Sequence, residues 1–193
     1  AFTVLGKGLI LLMVQVGGLG YMTASTLMAV LLRRAPGLRE RLLLGEGLGG
    51  VTLRETRRLV GVAVAFTLTV EAAGALVLTW RFAQAPDTSL SRAAWLGLAN
   101  AVSAFCNADF VWLGAGGAPG SLGPYVADPW VNGTVCLLVI LGGLGFAVCH
   151  ELLYPRRGRH RSLQARTVLT ATGALIVGGM AAVLVVEASN PRT

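Results

Sequence analysis

The sequence predicts an all-α membrane protein, with four transmembrane helices and one re-entrant segment between the second and third. Three observations carry this. Four apolar runs are long enough to cross a bilayer, and the arginines gather in two short stretches between such runs. Charged residues make up only 13% of the chain, where soluble domains carry about 25%. A hydrocarbon core of about 30 Å needs roughly 20 apolar helical residues, and residues 8–32, 59–80, 131–153 and 167–186 each meet that length. Helix is the expected state, because lipid offers the backbone no hydrogen-bond partner and a helix satisfies its own.

Residues 91–110 read SRAAWLGLANAVSAFCNADF. They are apolar enough to enter a membrane but carry Asn100, Ser103, Asn107 and Asp109. The helical part, 93–105, is too short to span, and a length of about 10–14 residues suits a re-entrant or interfacial segment. Orientation follows from charge. Arg33, Arg34, Arg39, Arg41, Arg54, Arg57 and Arg58 lie in the stretch 33–58, and Arg156, Arg157, Arg159, Arg161 and Arg166 in 154–166. The long stretch 81–130 holds only Arg81 and Arg92. Cytoplasmic loops carry the excess of Lys and Arg, so the two Arg-rich loops are expected in the cytoplasm and 81–130 outside the cell (inner) membrane. Trp80, Trp95, Trp112 and Trp130 all fall on that outer side, where aromatic residues sit at headgroup level. Lys7 and Arg81 are expected to snorkel to the same surface.

The net charge of +7 has no basic face with aromatic or polar readers beside it, so nucleic acid is not an expected partner. Cys106, Cys136 and Cys149 are odd in number and make no disulfide framework. His150 and His160 have no companions at metal-ligand spacing. No nucleophile–base pair or phosphate loop points to an enzyme or a resident cofactor. The first apolar run is longer than the roughly 7–15 residues of a signal-peptide core and lacks its small-residue end. Beginning at Ala1, not Met, within apolar sequence, the chain reads as one that has lost its natural start.

An internal repeat organises the rest. Leu12–Tyr21 reads LMVQVGGLGY and Leu137–Phe146 reads LLVILGGLGF, both running outside to inside. The second and fourth runs share a start, Arg58-Leu59-Val60 and Arg166-Thr167-Val168, and an interior, Gly74-Ala75-Leu76 and Gly173-Ala174-Leu175. The unit is helix, pore loop, helix, with its first and last copies cut. Gly17, Gly18, Gly20, Gly142, Gly143 and Gly145 are expected to let helices approach closely.

A short helix that enters from outside and stops in mid-membrane points its C-terminal carbonyls at the bilayer centre, where their partial negative charge favours a cation. Backbone oxygens after it can replace a hydration shell, as in potassium-channel filters. On that pattern 93–105 is the pore helix, and Cys106, Asn107, Ala108, Asp109 and Phe110 are the filter strand. The alternative is an amphipathic interfacial helix with no ion. Glu71 is an acid in the middle of the second run, and such residues are costly and face an interior or cavity. It reads as a cation-path or pore-helix support residue, or equally as a carboxylate bonded to a neighbouring helix.

QVGGLGYMT at 15–23, SAFCNADF at 103–110 and LGGLGF at 141–146 resemble the signatures of the Trk/Ktr/HKT superfamily of potassium and sodium transporters. The resemblance extends to VEAAGALVL in the second run and to 187–191. It implies helix–pore-loop–helix repeats, four around one pore, and movement of potassium or sodium as the substrate. It also implies a homodimer and a cytosolic nucleotide-binding ring as regulatory partner, through which alone a nucleotide would enter. On it, 1–58 is the second helix of repeat one with a cytoplasmic loop, 59–153 the whole of repeat two, and 154–193 a loop with the first helix of repeat three. Potassium is expected at Asn107, Ala108 and Asp109. Asp109 stands where the family has its filter glycine, which predicts altered selectivity or overly tight binding. The other expectation is a non-conducting fragment that packs with partners and forms no pore alone.

Overall fold

The computed structural model describes residues 3–33, 53–86, 88–108, 122–153 and 162–188. Their regular structure is helical: α1 (Val4–Arg33), α2 (Leu53–Phe82), α3 (Leu90–Phe105), a 3-10 turn (Gly123–Tyr125), α4 (Pro129–Leu144), α5 (Phe146–Leu153) and α6 (Leu163–Glu187). They fall into two compact units, Ala1–Phe146 and Ala147–Thr193.

The apolar runs lie inside helices that overrun them. α2 begins six residues before the expected 59, because Arg and Glu favour helix and bilayer thickness limits the apolar span, not the helix. α6 begins at a capping serine, Ser162, whose side chain accepts from the Ala165 N–H; the Glu151 carboxylate in turn accepts from the Ser162 hydroxyl at 2.6 Å. Two helices are long and apolar enough to cross a bilayer unaided, over Val60–Phe82 and Leu163–Glu187. The third expected span, 131–153, is not continuous. It breaks at Gly145, with φ 76° and ψ 153°, a region of backbone space open essentially to glycine alone, and α4 and α5 reach span length only together. The described apolar part of α1 is Leu5–Gly20. Among the described residues, two of the four expected spans stand by this measure, or three if the broken pair is one.

In the first unit α3 packs between α2 and α4, and α1 touches α2 and α3. Ala63, Thr67, Glu71, Ala75, Leu78 and Phe82 are buried at three- and four-residue intervals along α2, one face of a helix. α3 instead buries most of its second half, including Asn100 and Ser103, as a helix enclosed by others does. Asn100 returns its amide to the Leu96 carbonyl at 2.8 Å. Helices in lipid gain little from apolar burial and associate through close packing at small residues. Gly97 shows this, since a Cβ there would overlap Thr79 and lie 2.8 Å from the Ala75 carbonyl oxygen.

The ends of α2 and α4 are pinned together. Arg81 pairs with Asp128 rather than only snorkelling, and Asp128 caps α4 by accepting from the Trp130 and Val131 N–H groups at 3.0 and 3.3 Å. Trp80 meets Trp130 edge-to-face at 5.8 Å, and Phe82 meets Tyr125 at 5.1 Å. α3 starts three residues before the expected 93 because Ser89 caps it, accepting from the Arg92 N–H.

Candidate functional site

The stretch SAFCNA, 103–108, ends α3 in a Schellman motif. The Asn107 N–H donates to the Ala104 carbonyl at 3.2 Å and the Ala108 N–H to the Ser103 carbonyl at 2.9 Å. Asn107 has φ 52°, a left-handed conformation that asparagine accepts because its short amide can bond locally. Its Nδ2 donates to the Phe105 carbonyl at 3.4 Å and to the Val139 carbonyl of α4 at 3.5 Å. Cys106 is the C-cap. These two residues, expected to open the filter strand, form the turn that closes the helix, and the chain leaves that turn at Ala108. Asp109 and Phe110 lie outside the described residues, as does Trp112.

Two of the six expected packing glycines meet this turn. A Cβ on Gly142 would overlap the Phe105 carbonyl oxygen and lie 3.2 Å from Asn107 Nδ2. A Cβ on Gly18 would overlap Cys106 Sγ. The end of α3 is therefore held between α1 and α4 at the two places where neither presents a side chain. A Cβ on Gly17, Gly20 or Gly143 would meet nothing within 4 Å among the described residues. Gly145 is the helix break.

Glu71 is 3% exposed. Gln15 Nε2 donates to both of its oxygens, at 3.2 Å to Oε1 and 2.9 Å to Oε2, and Cys106 Sγ lies 3.8 Å from Oε1 as a thiol donor. Of the two readings of Glu71, the structure brings it against the α3 turn and bonds it to a neighbouring helix. Sequence reasoning passed over Gln15 as a residue in its own right. The signal was present: one amide in an apolar run, beside one carboxylate in the next, in a medium where a lone polar group is costly.

Residues 4–176 match the TrkH family, described as a cation transport protein. The chain is 37% identical over 193 residues to the Ktr system potassium uptake protein B of Bacillus subtilis (strain 168), covering all of this chain and 42% of that protein. It is 34% identical over 194 residues to the protein of that name in Vibrio alginolyticus, covering all of this chain and 41% of the relative. It is 29% identical over 182 residues to the potassium/sodium uptake protein NtpJ of Enterococcus hirae, covering 94% of this chain and 39% of the relative. The chain thus spans about two-fifths of the length of these relatives. Its match across nearly its whole length makes it a member of the TrkH family of cation transport proteins.

Proposed function

We propose that this chain supplies one complete helix–pore-loop–helix unit, and the adjoining helices of its neighbours, to a membrane subunit that moves potassium or sodium across the cell membrane. The observation that carries the proposal is the end of α3: a helix of 16 residues, short for a span, whose closing turn is clasped by glycines of α1 and α4. On this reading α3 is the pore helix, entering from outside, and its C-terminal carbonyls favour a cation beyond Ala108. Asn107, Ala108 and Asp109 supply the ion's ligands, and no covalent chemistry or resident cofactor is needed. The loops 33–58 and 154–166 lie in the cytoplasm and 81–130 outside. The subunit pairs as a homodimer, with a cytosolic nucleotide-binding ring as the regulatory partner. The names of the relatives, potassium uptake and potassium/sodium uptake, support the substrate class.

Glycine at the Asp109 position would take positive φ without a Cβ clash, whereas a carboxylate there holds a cation more tightly than conduction favours. Asp109→Gly in the full-length protein is expected to raise potassium flux and to change its preference over sodium. The measurement is rubidium uptake, with and without sodium, in a host lacking its own potassium uptake. Growth of that host at low potassium must depend on the full-length protein; if it does not, the transport reading falls. The second reading, a segment that packs but forms no pore alone, is favoured for the isolated chain by its share of the relatives' length. Rescue of the same host by residues 1–193 alone would eliminate it.

A further inference from the structure

We infer that Gln15 is a positioning residue for ion selection: through the Glu71 carboxylate it fixes the closing turn of α3 from the neighbouring repeat. The inference rests on the transport reading above. Gln15 and Gly18 stand one helical turn apart, on one face of α1, and both address the same target. Gln15 donates to both oxygens of Glu71, and Gly18 leaves no gap beside Cys106 Sγ. Cys106, the C-cap of α3, is therefore confined between a glycine on α1 and a carboxylate on α2 that accepts from its thiol at 3.8 Å.

A carboxylate 3% exposed, with hydrogen bonds at both oxygens, does not line a water-filled path. Its action is on the turn, not on the ion directly. Removing the amide of Gln15 leaves a buried acid short of a donor, which is costly unless the acid finds another. The other side-chain donor to Glu71 among the described residues is the Cys106 thiol, so the relaxation is transmitted to the residues just before Ala108. Since α1 and α3 belong to successive repeats, the position of the selecting turn in one unit is set by its neighbour.

The test uses the full-length protein in native membranes, with two readouts. The first is alkylation of Cys106 by N-ethylmaleimide, followed by peptide mass spectrometry and normalised to the exposed Cys136. The second is the potassium-over-sodium preference of rubidium uptake. Gln15→Ala and Glu71→Gln are each expected to speed Cys106 labelling and to lower the preference by about tenfold, the scale of one lost hydrogen bond to a charged group. Gln15→Asn, which keeps the amide but shortens its reach, should move both in the same direction by less. It serves if the harsher variants fail to reach the membrane. The exchange Gln15→Glu with Glu71→Gln restores an amide–carboxylate pair and should return both readouts towards the wild type. Labelling unchanged in the single variants, labelling that rises while ion preference stays, or an exchange that rescues neither readout would each overturn the inference. A wild type that moves no potassium would instead remove the transport reading, and the labelling comparison would still decide whether Gln15 holds the turn.

Discussion

At Gly142 a methyl group has nowhere to go, because the atom in its way is the Phe105 carbonyl oxygen at the end of α3, and backbone does not step aside as a flexible side chain does. One residue later, at Gly143, the same methyl would meet nothing within 4 Å among the described residues. Gly142→Ala should therefore destabilise the protein by about 1–3 kcal/mol, the usual cost of overpacking. Gly143→Ala should be neutral or stabilising by up to about 1 kcal/mol, as alanine replaces glycine in a helix. Thermal unfolding in detergent of the two variants side by side checks the contrast, and equal effects would refute it. The G-G-L-G motif was legible as a packing device, but not which glycine does the packing; that depends on how each helix is rotated about its axis. Asn107 carries a second residue-scale expectation. With φ at 52°, Asn107→Ala should be less stable than Asn107→Gly by about 1 kcal/mol, since alanine pays for a left-handed backbone that glycine adopts freely. Denaturant unfolding of that pair measures it.

Helix existence was legible at the scale of elements because bilayer thickness imposes a length on any apolar run. The break between α4 and α5 was not, since FAVCHELL continues the apolar run past Gly145 and hydropathy carries no record of a backbone angle. The start of α4 shows what a local cap adds. Burial works against the charged form of Asp128, but the Val131 N–H, the Arg81 guanidinium and the Trp130 N–H together outweigh it and hold the carboxyl below its ordinary value of 3.8. A carboxyl depressed in the fold stabilises it above the ordinary value, and that contribution disappears as pH falls through the lower folded value. The stability gap between wild type and Asp128→Asn should accordingly be constant from pH 5 to 7 and narrow as the pH drops below about 3.8. Unfolding midpoints across that range test it, and a gap that widens in acid would contradict the assignment.

For the whole molecule, the arginines are what the expected side of each loop rests on, while the candidate site was only half legible. SAFCNADF marks the candidate place, yet the turn at Asn107 depends on a backbone angle that composition does not record, and the bond from Gln15 to Glu71 joins segments far apart in the chain. The ends of α2 and α4 mark one membrane interface without saying which side it faces. Trp80 and Trp130, both exposed and in edge-to-face contact, lie beside the Arg81–Asp128 pair, so one end of the first unit carries aromatic rings next to a paired charge. Such rings favour the headgroup level at either interface; the expectation that this end faces outward rests on the contrast with the arginine-rich loops 33–58 and 154–166. Thr88→Cys, in the stretch between α2 and α3, should then be labelled by a membrane-impermeant maleimide in intact cells expressing the full-length protein. Arg157→Cys, in the second arginine-rich loop, should be labelled only after the cells are opened. The wild-type protein, with its three native cysteines, gives the background to subtract. The reverse pattern would overturn the proposed orientation, whereas labelling of Thr88→Cys alone in intact cells would support it and put the stretch between α2 and α3 on the outer side.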